Sequence, residues 1–202
     1  MPMSAPDTLT ILGIAGSPRR HGNSERLLDE CLAGARAAGA EVDKLVVVEC
    51  DIAPCTGCGG CAPSGVCVIS DDMADVYERL DGADAVVVAS PVYFATVPAV
   101  LKALYDRLQP YWARRYVHGE QVSLRRPGAL LLVRGGGDPF GFEAAAAPTR
   151  SVFAVLGIDY AEELHVEGPD APEDIERFPA ELANAARIGR SLVESVRRES
   201  QR

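Results

Sequence analysis

The chain has 202 residues, 48% hydrophobic and 24% charged, which is the balance of a folded globular protein rather than a disordered tail. Its formal net charge is −9, from 29 acidic and 20 basic residues, so it offers no cationic face of the kind nucleic-acid binding requires. No apolar run nears the roughly 20 residues of a membrane span, and no basic leader precedes Ile11, so a cytoplasmic location is expected.

Leu9 to Ala15 is an apolar run that predicts a buried first strand, closed by Gly16. After the loop G-S-P-R-R-H-G-N-S, Asn23 or Ser24 can cap a helix with Leu27, Leu28, Cys31, Leu32 and Ala35 at helical spacing. Gly39 ends that helix, and Glu41 to Val48 supplies a second strand. A cysteine-rich loop occupies 50–70, after which Asp71 and Asp72 start a helix with acid near its positive end. Ala85 to Ala89 predicts a strand covered on both faces. The turn Ser90 to Phe94 leads into a helix through Val100, Leu101, Leu104 and Leu108. A fourth strand spans Ala129 to Val133, followed by a helix from Phe142 to Leu156 and a fifth strand from Tyr160 to Val166. The last helix runs from Asp174 to Val196. Strands alternating with helices predict an α/β fold built on a parallel sheet with right-handed crossovers. With no repeat or linker, residues 1–202 read as one domain.

In a doubly wound sheet, ligands sit beyond the carboxyl ends of the strands, and three such loops are specialised. Gly16 to Ser24 joins a strand to a helix, where exposed N–H groups and the helix dipole favour a phosphate. It lacks both G-x-G-x-x-G and G-x-x-x-x-G-K-[ST], so a compact monophosphate suits it better than a dinucleotide or a triphosphate. Pro91, Val92, Tyr93 and Phe94 form a rigid aromatic turn on which a planar ring can stack. Gly135, Gly136 and Gly137 allow close approach of the backbone to a ligand.

Cys55, Cys58, Cys61 and Cys67 are spaced C-x2-C-x2-C-x5-C. Soft thiolates in so tight a loop suit an iron–sulfur cluster; structural zinc, a disulfide and free thiols stay open as alternatives. Cys31 and Cys50 read as small buried hydrophobes. His21, in the phosphate loop, is a candidate ligand contact, whereas His118 and His165 fit no metal or catalytic pattern. The aromatic group Tyr105, Tyr111, Trp112 and Tyr116 suits packing, an interface between copies, or cover over a neighbour's ligand.

Taken together, G-S-P-R-R-H-G-N-S, the run S-P-V-Y-F-A-T-V-P-A-V-L-K-A-L-Y-D-R and the later glycine turn resemble the flavodoxin-like NAD(P)H-dependent FMN reductase superfamily. P-C-T-G-C and C-V-I-S-D-D-M are similar to its iron–sulfur flavoprotein branch. The resemblance implies a five-stranded parallel sheet of order 2-1-3-4-5 carrying FMN. By it, Ser17, Arg19, Asn23 and Ser24 hold the FMN phosphate, while Pro91 to Phe94 and Gly135 to Gly137 hold the isoalloxazine. It further implies a four-iron four-sulfur (4Fe-4S) cluster on Cys55, Cys58, Cys61 and Cys67, ferredoxin as electron donor, and a homodimer or homotetramer. Without a cluster, NAD(P)H is the implied donor, and a quinone, free flavin or similar small molecule the acceptor. Flavin chemistry needs no side chain as acid or base, so no catalytic residue is nominated. A flavin-binding electron carrier or regulatory module without turnover is the alternative that fold leaves open. A receiver-like domain is disfavoured, because G-S-P-R-R stands where its acidic cluster would be.

Overall fold

The computed structural model describes residues 9–121, 125–137 and 139–200. Five strands, β1 (Thr10–Ala15), β2 (Glu41–Val46), β3 (Ala85–Pro91), β4 (Arg126–Arg134) and β5 (Ile158–Glu167), form one parallel sheet. Their order is β2-β1-β3-β4-β5, the flavodoxin-like arrangement expected from the sequence. Among the described residues six helices surround it: α1 (Asn23–Ala37), α2 (Met73–Gly82), α3 (Ala99–Asp106), α4 (Gln109–Tyr116), α5 (Glu143–Leu156) and α6 (Pro179–Glu199).

Side chains alternate across the pleat, so each central strand feeds two cores. Leu12, Ile14, Val86, Val88, Leu130 and Leu132 pack beneath α2, α3 and α5. Ile11, Ala15, Val87, Ala89, Leu131 and Val133 pack on the opposite face beneath α1 and α6. Double burial explains why these strands read as unbroken apolar runs.

Several boundaries move from the sequence-based expectation. β2 stops at Val46, where Val47–Glu49 tightens into a 3-10 turn. The helix expected through Leu108 ends at Asp106, and a further helix not expected from the sequence, α4, follows it with Pro110 in its first turn, where the missing N–H has no helical partner to lose. β4 starts earlier than expected, at Arg126, and β5 at Ile158, with a register shift between Gly128 and Ala129. A side chain at Gly128 would collide with Ile158 and Phe153, whose carbons lie 2.4 and 2.6 Å from an added Cβ. The last helix begins at Pro179, after a short turn over Asp174–Arg177. Among the described residues, no helix is long and apolar enough to cross a membrane.

Candidate functional site

The sheet's carboxyl edge is stitched where its loops depart. The Gly16 N–H donates to the Ala89 carbonyl (2.8 Å), and the Val92 N–H to that of Val133 (2.9 Å). The ends of β1, β3 and β4 are thereby drawn around one cleft of about 90 Å³. Ser17, Arg19, Asn23 and Ser24 line it from the first loop, Pro91, Val92 and Tyr93 from the second, and Gly135 from the third. Pro169 and Asp170, from the connection after β5, complete the wall; nothing in the sequence marks them. The turn is open rather than filled by side chains.

Pockets for drug-sized molecules run to about 300–1,000 Å³. This cleft therefore matches a phosphate, and a flat ring would have to lie across its mouth. There the second loop makes a tight reversal, with the Tyr93 N–H donating to Thr96 O (2.8 Å) and the Thr96 N–H to Tyr93 O (3.1 Å). Its central residues, Phe94 and Ala95, hold positive φ angles of 48° and 65°, a strained conformation for residues with a Cβ. The reversal leaves the Phe94 ring wholly exposed, outside the cleft lining. Gly136 and Gly137 also stand outside the lining, at φ of 124° and 78°.

Within the first loop the Ser17 hydroxyl accepts the Arg19 N–H (3.0 Å), and both Ser17 and Ser24 are buried. Arg19 reaches the Asp170 carbonyl (3.4 Å). Asn23 also works as a tie. Its amide donates to Ala171 O (3.0 Å) and accepts the Ile175 N–H (3.1 Å), joining the loop before α6 to the start of α1. Among the described residues no side chain caps α1, so the N–H groups of its first turn are open to an anion.

Beneath this loop lies Glu25, a residue that no sequence motif marks. Its side chain is 2% exposed and accepts hydrogen bonds from the His21 N–H (2.6 Å), Arg20 and Lys44 (2.8 Å). Burial pushes its carboxyl up, but those donors together outweigh burial and hold it down at about 2. The His21 side chain points outward, outside the cleft lining, and only its backbone takes part.

The four clustered cysteines line a second cavity of about 460 Å³, closed on the other side by Arg107, Gln109, Pro110, Trp112 and Ala113. All six cysteines are free. Among the described residues no group of three His, Cys, Asp or Glu side chains is placed to hold a metal ion. The four thiols line one cavity, and a cubane takes one cysteine sulfur at each of four corners, so the donor set fits that group. The Gly60 N–H, 3.5 Å from the Cys58 sulfur, and the Thr56 hydroxyl hold the Cys58 thiol below the usual range. Burial raises that of Cys61, helped by the other three cysteines.

The loop is fixed from outside by side chains that belong to no motif. Arg114 donates to Gly65 O (2.9 Å), and His118 Nε2 meets Ala62 O at 2.8 Å. His165 stacks on Phe142 at 4.5 Å between centroids, a packing role. Of the expected aromatic group, Tyr105 is buried on Thr149 (2.8 Å) and Tyr111 bonds Asp81 (2.8 Å). Trp112 faces the cysteine cavity, with Tyr116 5.6 Å away. Cys31 is buried, with a thiol pushed up to about 12, whereas Cys50 is only partly buried.

Residues 9–167 match the sequence profile of the NADPH-dependent FMN reductase family. An iron–sulfur flavoprotein of Methanosarcina thermophila is 43% identical over 99 residues, 49% of this chain and 52% of that protein. One of Archaeoglobus fulgidus is 37% identical over 147 residues, 73% of this chain and 63% of that protein. The chain thus spans about half to two thirds of the length of these two relatives. An NAD(P)H:quinone oxidoreductase from Methanothermobacter marburgensis superposes with a TM-score of 0.70 at 19% identity, covering 92% of this chain and 97% of that one, a likeness of fold. On its profile and its relatives, the chain belongs to the NADPH-dependent FMN reductase family, on the branch of the iron–sulfur flavoproteins.

Proposed function

We propose that this protein is an FMN-dependent oxidoreductase that moves electrons from a reduced donor, ferredoxin or NAD(P)H, to a small acceptor through a 4Fe-4S cluster held by its cysteine loop. One observation carries the reading: the fold holds both a phosphate-sized cleft at the carboxyl edge of its sheet and a separate cavity lined by four thiols and walled by Arg107 and the start of α4. When bound, FMN supplies transfer of electrons singly or in pairs, and the cluster supplies a one-electron port.

The chain's own residues bind and orient. Ser17, Ser24 and the first-turn amides of α1 hold the phosphate, with Arg19 at the rim and Asn23 fixing the loop. Pro91 to Tyr93 and Gly135 seat the ring edge, with Phe94, Gly136 and Gly137 outside the cleft lining. Cys55, Cys58, Cys61 and Cys67 are the ligands of the cluster. Removing one hydroxyl from a charged ligand costs about 1.5–3 kcal/mol. Ser17→Ala is therefore expected to weaken FMN binding by roughly tenfold or more, read by quenching of FMN fluorescence on titration into apoprotein.

The deciding experiment is an absorption spectrum with iron and sulfide analysis on anaerobically purified protein. It should give close to one FMN per chain together with broad iron–sulfur absorbance, and Cys58→Ser should lose the iron while keeping the flavin. Flavin without iron would remove the cluster and leave an NAD(P)H-dependent flavin or quinone reductase. Flavin-loaded protein inert with every donor would favour a carrier or regulatory module.

A further inference from the structure

Arg107, just past the end of α3, has a side chain only 1% exposed. A guanidinium is costly to bury unless its donors are paired, and here the partners belong to the cysteine loop. Nη1 donates to Ala53 O (2.8 Å) and to Asp71 Oδ2 (2.5 Å). Nη2 donates to Asp71 Oδ1 (3.0 Å) and lies 3.5 Å from both Ile69 O and the Cys67 sulfur. Nε has no partner among the described residues. Ala53 stands two residues before Cys55 and Ile69 two after Cys67, so one rigid fork ties both ends of the ligand loop. Asp71 completes the tie by accepting the N–H groups of Ala53 (3.0 Å) and Met73 (3.1 Å). Tyr77 donates its hydroxyl to the Arg107 carbonyl (2.6 Å) and pins the strut itself.

We propose that Arg107 is the positioning residue and buried counter-charge of the cysteine site, with Asp71 as its opposing partner; this rests on the cluster reading above. A reduced cluster carries one more negative charge than the oxidised one. A buried cation 3.5 Å from a ligand sulfur favours the reduced form and raises the midpoint potential, while the carboxylate behind it works against that effect. A purely structural strut would influence how much cluster is bound but would not give the two partners opposite electrical effects.

The test uses FMN-loaded protein purified anaerobically, with iron, sulfide and flavin content and the midpoint potential measured. Arg107→Gln should keep its flavin, lose half or more of its iron and sulfide, and shift the remaining centre to a more negative potential. Asp71→Asn should shift it to a more positive one. Arg107→Lys, with charge but no fork, should lose iron yet hold a potential near that of the unsubstituted protein. Shifts of one sign in the Gln and Asn variants, or no shift in either, overturn the counter-charge. If the unsubstituted protein holds no iron, the cluster reading fails and with it the counter-charge. The positioning role is then read by hydrogen exchange on the iron-free chain. Arg107→Gln should speed exchange across residues 51–73 at least tenfold while β3 is unchanged, and equal exchange there overturns it.

Discussion

Replacing Gly189 with alanine is expected to lower the melting temperature by about 10 °C. The helices α1 and α6 meet backbone to backbone at this point. A Cβ on Gly189 would fall 1.8 Å from the Cys31 carbonyl oxygen, and one on Gly34 would fall 2.0 Å from that of Ala186. Neither obstacle is a side chain that can swing aside, so the helices themselves must separate, across Leu27, Cys31, Ile188 and Leu192, all fully buried. Overpacking costs roughly 1–3 kcal/mol, and a backbone obstacle puts this site at about 3. In a chain of this size each kcal/mol moves the midpoint by about 2–4 °C. One separation relieves both clashes, so Gly34→Ala together with Gly189→Ala should cost clearly less than the sum of the single effects. Thermal melts of the three variants check this. A fall of under about 2 °C for Gly189→Ala, or strict additivity, would mean the helices do not meet as described.

How much of the molecule is legible in its sequence follows from where each residue's partners lie. The central strands are readable because burial on both faces leaves unbroken apolar runs, as in Val86 to Ala89. The edge strand β5 reads short at its ends, since the charged Asp159 separates Ile158 from the expected run and Glu167 closes it. The phosphate loop is readable from residue types within nine positions, and the cysteines from their spacing. Groups that work through distant partners leave no local trace. Arg107 acquires its role only when Ala53, Ile69, Cys67 and Asp71 come to it. Asn23 reads as a phosphate ligand, yet both ends of its amide also reach residues about 150 positions away. Glu25 looks like an ordinary first-turn acid until Lys44, on β2, arrives beside it.

Glu25→Gln is expected to destabilise the protein by about 2 kcal/mol at neutral pH and to weaken FMN binding with it. The substitution keeps the side chain's shape but removes the charge facing Arg20 and Lys44, and it turns one acceptor oxygen into a donor. The figure lies below the cost of breaking a fully buried pair, because Arg20 and Lys44 are 33% and 27% exposed and water recovers part of their charge. The His21 N–H loses its charged acceptor, and with it the left-handed residue at φ 55° that turns the loop toward α1. The dependence on acidity follows from the depressed carboxyl. Glu25 titrates near 2 in the folded chain against 4.5 when unperturbed, so its contribution is complete above 4.5 and drains away as pH falls from there through 2. The glutamine variant has no such proton to take up. The gap in melting temperature between the two proteins should therefore hold constant from neutrality down to about pH 5 and narrow steadily below it. A gap that stays constant below pH 5 as well would show that the carboxylate does not anchor the phosphate loop.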